Sequence, residues 1–293
     1  MMFDRNPGLR AGWLCLLCAL ALLAALPVQA LAAPEKPQIT IRSNDLSITD
    51  GLPKHQRTVL VMVVDPPQGM RYAPTETMLL ASIDTRDGAA RMTVLPPRML
   101  VPVPQAGTLP LAQAFALGGE NLAMKTVNEV FGLNVRDYVC VDMSRFTPVV
   151  DVVGGIHLTL TEQEAAALGL PAAPVVLDVA QTLAYMRLER DDPSVDRQYN
   201  VLMQALVQGT RDRGDLRLLL DMLGKVMGSV DTNIGVFDLG SLGIKVLGGD
   251  VRLELRLPAA DALTAVTLDG QRCYETDLDA ARRTLHTYLY GGE

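Results

Sequence analysis

The sequence predicts an α/β fold: a single domain with a mixed central sheet flanked by helices on both faces. Three observations carry that expectation. Short Val-rich runs end at an acid or a proline, as in residues 57–65 (RTVLVMVVD). Segments with capping residues and helical spacing stand between them. A strictly alternating stretch, 251–257 (VRLELRL), follows late in the chain. Strands and helices therefore interleave, the pattern of one layered core.

Residues 57–65 read as a fully buried strand, because the apolar run is continuous rather than alternating. Residues 77–84 (TMLLASID) give a second strand and 90–98 (ARMTVLPPR) a third. The third is stopped by Pro96 and Pro97, since proline cannot donate to a ladder. Residues 109–133 have helical spacing, and Gly118-Gly119 divides them into two helices. Residues 138–143 (YVCVDM) form a short strand. Ser144 caps a helix that ends at Gly154-Gly155. A strand at 156–160 leads into Thr161-Glu162-Gln163-Glu164, a capping-box pattern. Asp178 opens the next helix. Asp192-Pro193 starts another, with the carboxylate as cap and proline at the first helical position. Leu216, Leu219, Leu220 and Leu223 recur on one helical face. Residues 262–268 make a further strand, and Asp277 caps a last helix reaching about Tyr288.

The 293 residues are 49% hydrophobic and 20% charged, enough to bury a core, which excludes a disordered chain. The formal net charge of −7 and the absence of a long basic run exclude a nucleic-acid surface. Arg5 and Arg10 precede an apolar run over 11–33, followed by Glu35, Lys36 and Pro37. A charged flank and an apolar stretch make an export signal. The run is roughly the length that spans a bilayer as a helix, so a cleaved signal and an uncleaved anchor both fit. Either way the basic flank stays cytoplasmic and the rest of the chain is extracytoplasmic. The organisation is thus a signal or anchor over 1–33, a polar tether over 34–56 and one domain over 57–293.

Several chemistries find no support. His55, His157 and His286 are too far apart for metal-ligand spacing. No nucleophile elbow, Walker loop or GxGxxG is present. Cys15 and Cys18 fall inside the apolar run, and no second pair follows them. Cys140 reads as a small hydrophobe within a strand, with a bridge to Cys273 as the alternative.

Residues 122–158 (LAMKTVNEVFGLNVRDYVCVDMSRFTPVVDVVGGIHL) are very similar to a stretch of the LytR-CpsA-Psr family. There a "TV" helix, a "GL…DYYV" strand, a "GF…LVDALGG" helix and a strand follow in that order. Residues 181–187 (QTLAYMR) resemble the family's "QALAYVR", and Arg197-Gln198 resemble its closing "RQ". The core of the resemblance runs over about 59–206, and residues 283–290 (RTLHTYLY) resemble the end of full-length members. The resemblance implies an enzyme that moves a glycan from a polyprenyl-pyrophosphate carrier to a peptidoglycan hydroxyl at the membrane. It also implies a divalent metal, magnesium or manganese, and an elongated apolar pocket for the polyprenyl chain. The Val-rich strands and the helices carrying Val127, Val130, Phe131, Val149 and Val153 supply apolar surface, some of which is expected to line it.

The resemblance places functional roles on particular residues. Asp65 matches an acid closing the first strand, and Glu76 stands where "SDT" has an aspartate; both would hold the metal. Arg98 matches the arginine of "PRD", whose acid is replaced by Met99. Asp65, Glu76 and Arg98 are therefore the expected catalytic set. Arg187 matches the first arginine of "RxR", with Glu189 at the second and Arg190 one residue on. In "DxxRxxRQ", Asp191, Arg197 and Gln198 match and Ser194 replaces an arginine; Ala112 falls where asparagine is usual. Arg98, Arg187, Arg190, Arg197 and Gln198 would bind the pyrophosphate. The arginine fork suits phosphate oxygens, and a helix start favours an anion. The competing reading is a structural network of these arginines with Glu189, Asp191, Asp192 and Asp196. Met99 offers no hard oxygen, so metal binding should be weak, and Met99→Asp is expected to strengthen it. A binding protein with little transfer activity is the alternative function.

Overall fold

The computed structural model describes residues 37–67, 70–143, 150, 154–186, 188, 230–235, 238, 241–242, 251–254 and 258–291. Of the predicted helix beginning at Ser144 only Val150, helical and buried, is among them before Gly154; the helix beginning at Asp192, the Leu216 face and the apolar run over 11–33 lie outside them. Among the described residues no helix is long and apolar enough to cross a membrane.

The chain is a mixed α/β domain. Strands β1 (Gln56–Val64), β2 (Thr75–Asp84) and β3 (Ala90–Leu95) come first. A hairpin of β4 (Leu100–Val103) and β5 (Gly107–Pro110) leads into helix α1 (Gln113–Phe131). Then follow β6 (Asp137–Asp142), β7 (Ile156–Thr159), helix α2 (Glu162–Leu168), β8 (Pro174–Leu177) and helix α3 (Val179–Met186). Strands β9 (Val230–Thr232), β10 (Val251–Glu254), β11 (Thr264–Leu268) and β12 (Gln271–Glu275) precede helix α4 (Leu278–Tyr290).

Six strands form the central sheet in the order β10-β3-β2-β1-β6-β9. The β1–β6 and β10–β3 pairs are parallel and the others antiparallel, so the sheet is mixed as expected. Strand β1 has a neighbour on each side, which is why it reads as an unbroken apolar run. Its even-numbered side chains, Leu60, Met62 and Val64, join the main core with Met78, Leu80 and Leu95. Helix α1 covers this face with Phe115, Leu122, Val127 and Phe131, and α4 adds Leu285 and Leu289. The odd-numbered side chains of β1 point to the opposite face, where Val59 packs with Val139 and Ile234.

Local chemistry matches the sequence at several ends. Thr161 and Glu164 form the complete capping box of α2. Asp178 accepts from the Gln181 N–H at 2.8 Å, and Asp277 accepts from Ala280 N–H at 2.9 Å. Helix α1 breaks at Gly119, whose φ of 65° and ψ of −157° suit glycine alone. A Cβ there would stand 2.9 Å from Tyr72 Cε1.

The segment read as a tether departs from expectation. From Pro37 onward it is a strap laid along α1. Ile39 N–H donates to Leu117 O at 2.9 Å and Thr49 N–H to Leu133 O at 2.8 Å. Asn121 Nδ2 donates to Ile41 O at 2.9 Å, and Lys125 pairs with Asp45 at 2.7 Å. Ile41 and Leu46 are buried in the main core. Ile39, Ile41, Leu46 and Ile48 supply its apolar contacts with the core, although they have no helix or strand period over the whole stretch. Cys140 and Cys273 are both buried and both free thiols.

Candidate functional site

A β-bulge organises one end of the sheet. Val63 pairs with Thr77 and Val64 pairs with Thr75, so Glu76 has no partner on β1. Thr75 and Thr77 are buried and Glu76 is exposed. A bulge re-aims one side chain while the ladder continues on either side of it. Asp65, half-buried, directly follows the last residue of β1. Backbone bonds tie this end to two more segments. Thr75 N–H donates to Ala112 O at 3.3 Å, and Ala112 N–H donates to Pro97 O at 2.8 Å. Asp65, Glu76, Arg98 and Ala112 are thereby brought to one end of the sheet. Asp65 and Glu76 each interact with neighbouring groups of the protein.

Arg98 is exposed in the turn that Pro96 and Pro97 impose after β3. Its carbonyl accepts from Tyr274 N–H at 3.0 Å, and Met99 forms a parallel bridge with Tyr274. Burial pushes the neighbouring Cys273 thiol up, while the Arg98 charge pulls it the other way. Met99 points into the main core and is 0% exposed. This corrects the expectation for Met99→Asp: a carboxylate at this position would be buried among apolar groups, not offered to a metal.

One network at this end was not visible in the sequence. Arg71, in the β1–β2 connection, pairs with Asp231 of β9 at 2.6 Å and with Glu120 of α1 at 3.4 Å. Burial works against its charge, but Glu120 and Asp231 outweigh it, so the guanidinium is held above its ordinary pKa. The Tyr138 hydroxyl donates to Asp231 at 3.4 Å. Burial, with Asp231 and Glu120 nearby, raises the phenol of Tyr138 and the thiol of Cys140. Partners 49 and 160 residues away carry no local signal.

Arg187, Arg190, Arg197 and Gln198 lie outside the described residues. Among the described residues no group of three or more His, Cys, Asp or Glu gathers as a metal site. Asp65 and Glu76 supply two hard oxygen donors at one sheet end, a partial fit to magnesium or manganese.

The family model described as the LytR_cpsA_psr family matches residues 29–287. The chain belongs to the LytR-CpsA-Psr family. A relative from Enterococcus faecalis, named polyisoprenyl-teichoic acid–peptidoglycan teichoic acid transferase TagU, is 25% identical over 80% of this chain and 80% of its own length. The protein of the same name from Oceanobacillus iheyensis is 24% identical over 60% of this chain, which spans only 57% of that relative. The solved structure "TagT bound to LI-WTA" superposes with a TM-score of 0.63 at 18% identity, covering 91% of this chain and 98% of that one. A TagT structure with bound octaprenyl pyrophosphate lipid superposes with a TM-score of 0.55 at 19% identity, covering 80% and 91%. At these identities the structures show the shared LytR-CpsA-Psr fold.

Within this LytR-CpsA-Psr domain the two sheet faces are unlike. Val127, Val130 and Phe131, on one of the elements expected to contribute to a lipid pocket, are buried in the main core against the sheet. Val149 and Val153 lie outside the described residues. On the other face Val61, Val63, Leu79 and Val141 are only half-buried, although three of them flank or belong to the central strand pair β1–β2. Val61 and Val63 run along β1 toward Asp65.

Proposed function

We propose that the protein binds a polyprenyl-pyrophosphate glycan outside the cytoplasmic membrane and transfers the glycan, with its phosphate, to a peptidoglycan hydroxyl. The observation that supports this reading is that the Val64–Thr75 pair and the Thr75–Ala112–Pro97 backbone bonds bring the segments carrying Asp65, Glu76 and Arg98 to one end of the sheet. The names of the transferase relatives support the reaction class. The half-open strip of Val61, Val63 and Leu79 leads to the same end and offers an apolar bed for the polyprenyl chain.

The chemistry asked of the site is charge handling. The acceptor oxygen attacks the glycan-bearing phosphorus, the bond to the bridging oxygen breaks, and polyprenyl phosphate leaves. Arg98 neutralises the phosphate oxygens with charge-assisted bonds, joined by Arg187, Arg190, Arg197 and Gln198. A carboxylate at the sheet end, Asp65 or Glu76, takes the acceptor proton. When bound, a magnesium or manganese ion held by Asp65 and Glu76 would add charge neutralisation at the phosphates. With Met99 in the core, that ion would depend on substrate oxygens to complete its shell.

The same observation about Met99 favours a second reading, a binding protein with the fold but little transfer. Full-length protein in liposomes, given a polyprenyl-pyrophosphate sugar and peptidoglycan, separates the two: covalent sugar on the wall supports the transferase, and saturable lipid binding without it supports the binder.

A further inference from the structure

We infer that Arg71 is a positioning residue for the proposed transfer: it grips the break of α1 and the edge strand β9, and so fixes the segment over residues 71–76 that presents Glu76. The inference rests on the transferase reading of the site. Arg71, Pro74 and Glu76 of this segment are exposed, and Pro74 has no N–H to give. Three contacts fasten it. Thr75 N–H donates to the carbonyl of Ala112, the N-cap of α1, at 3.3 Å. The Tyr72 ring lies against Gly119 and packs on Phe115, with centroids 5.9 Å apart. Arg71 pairs with Glu120, the first residue past Gly119, and with Asp231, which faces Cys140 across the β6–β9 ladder. Ala112 also bonds Pro97, directly ahead of Arg98. Glu76 and Arg98 therefore take their relative placement from α1.

The break of α1 is what gives Arg71 its grip. A glycine at positive φ inside a core helix is a costly conformation, kept where the surrounding structure has a use for it. Here it leaves the space that the Tyr72 ring takes and brings Glu120 to Arg71. The Nη2 group of Arg71 meets both carboxylates, Asp231 at 2.6 Å and Glu120 at 3.4 Å. An arginine fork suits such a bridge better than the point charge of a lysine. One positive and two negative groups make the cluster net negative, which suits a strut and not a phosphate clamp. Arg71 and Asp231 are exposed, and exposed pairs contribute little to folding. Rate is more sensitive, because a reacting group misplaced by about 1 Å loses much of its effect. Loss of Arg71 should therefore be felt in the transfer rate and hardly in stability.

The test uses the full-length protein in liposomes with a polyprenyl-pyrophosphate sugar and peptidoglycan. Arg71→Met should lower kcat about tenfold while the Kd for the lipid and the urea midpoint stay at wild-type values. Arg71→Lys, which keeps the charge without the fork, should recover only part of the rate. Asp231→Asn acts through the same pair, so the double variant should be no slower than Arg71→Met alone. Wild-type kcat in Arg71→Met, or a double variant slowed by the product of the two single effects, would overturn the inference and leave the transferase reading standing. So would a weakened Kd at unchanged kcat, which makes Arg71 a direct lipid contact, or a rate that falls only in step with the urea midpoint, which makes it a structural group. No transfer by wild-type protein that binds the lipid would remove the transferase reading and this inference with it.

Discussion

The backbone N–H of Tyr274 donates to the carbonyl of Arg98 at 3.0 Å. Residues 176 apart in sequence are thus joined, and the C-terminal hairpin steadies the turn that presents the candidate arginine. The Arg98 side chain stays exposed while its backbone is held. Arg98→Ala should therefore leave the fold intact and weaken lipid-pyrophosphate binding by about ten- to a hundredfold, the worth of one charge-assisted bond. Calorimetry with a short-chain polyprenyl pyrophosphate, beside circular dichroism, checks both halves.

Met99 sits between Arg98 and the core and behaves oppositely. Its 0% exposure means that Met99→Asp places an unpaired carboxylate in the main core. The expected loss of stability is about 3–5 kcal/mol, measured by urea unfolding. A variant that folds normally and gains magnesium affinity would restore the reading that the structure overturned.

Much of the frame was legible because it depends on local patterns. The strand at Val59–Val64, though its Val61 and Val63 are only half-buried, the break at Gly119 and the caps at Thr161, Asp178 and Asp277 each follow from residues within a few positions. What escaped the reading depends on partners far away. The strap needs α1 to dock on, and its apolar residues have no sustained period. The β4–β5 hairpin contains Pro102 and ends at Pro110, residues that ordinarily argue against a strand. In the site, Asp65, Glu76 and Arg98 could be nominated by resemblance. The bulge that aims Glu76 depends on register, and the Arg71–Asp231 pair on the sheet order.

The strap can be tested at Asn128. Its buried side chain donates to Leu46 O at 2.8 Å and to Val135 O at 2.9 Å, and accepts from Val135 N–H at 2.8 Å. Asn128→Leu removes all three and strands buried backbone groups on both sides. A destabilisation of about 2–4 kcal/mol is expected, with proteolysis appearing first within residues 37–50. Unchanged resistance there would mean that the strap is held by its apolar contacts alone.

Asp84 gives a pH signature. Its buried carboxylate accepts from Arg86 N–H at 2.8 Å and from the Arg86 guanidinium at 2.8–3.2 Å. Those bonds hold it below the ordinary carboxylate value against the opposing effect of burial. A group with a lowered folded pKa stabilises fully above its unfolded value, about 4, and loses that contribution as pH falls through the folded value. Asp84→Asn should then cost about 1–3 kcal/mol at pH 7 and progressively less toward about pH 2–3. Parallel urea titrations of the two proteins at both pH values measure the difference; a gap that stays constant would remove Asp84 from the account.

The central claim is that the sheet end carrying Asp65, Glu76 and Arg98 acts on a lipid-borne glycan. The measurement that reaches it most directly is transfer of a radiolabelled glycan from polyprenyl pyrophosphate to peptidoglycan by the full-length protein in liposomes. Wild-type protein should place label on the wall, and Arg98→Ala should fall at least about tenfold in rate while remaining folded. Equal transfer by Arg98→Ala and wild type, or none by wild-type protein that binds the lipid, would contradict the account.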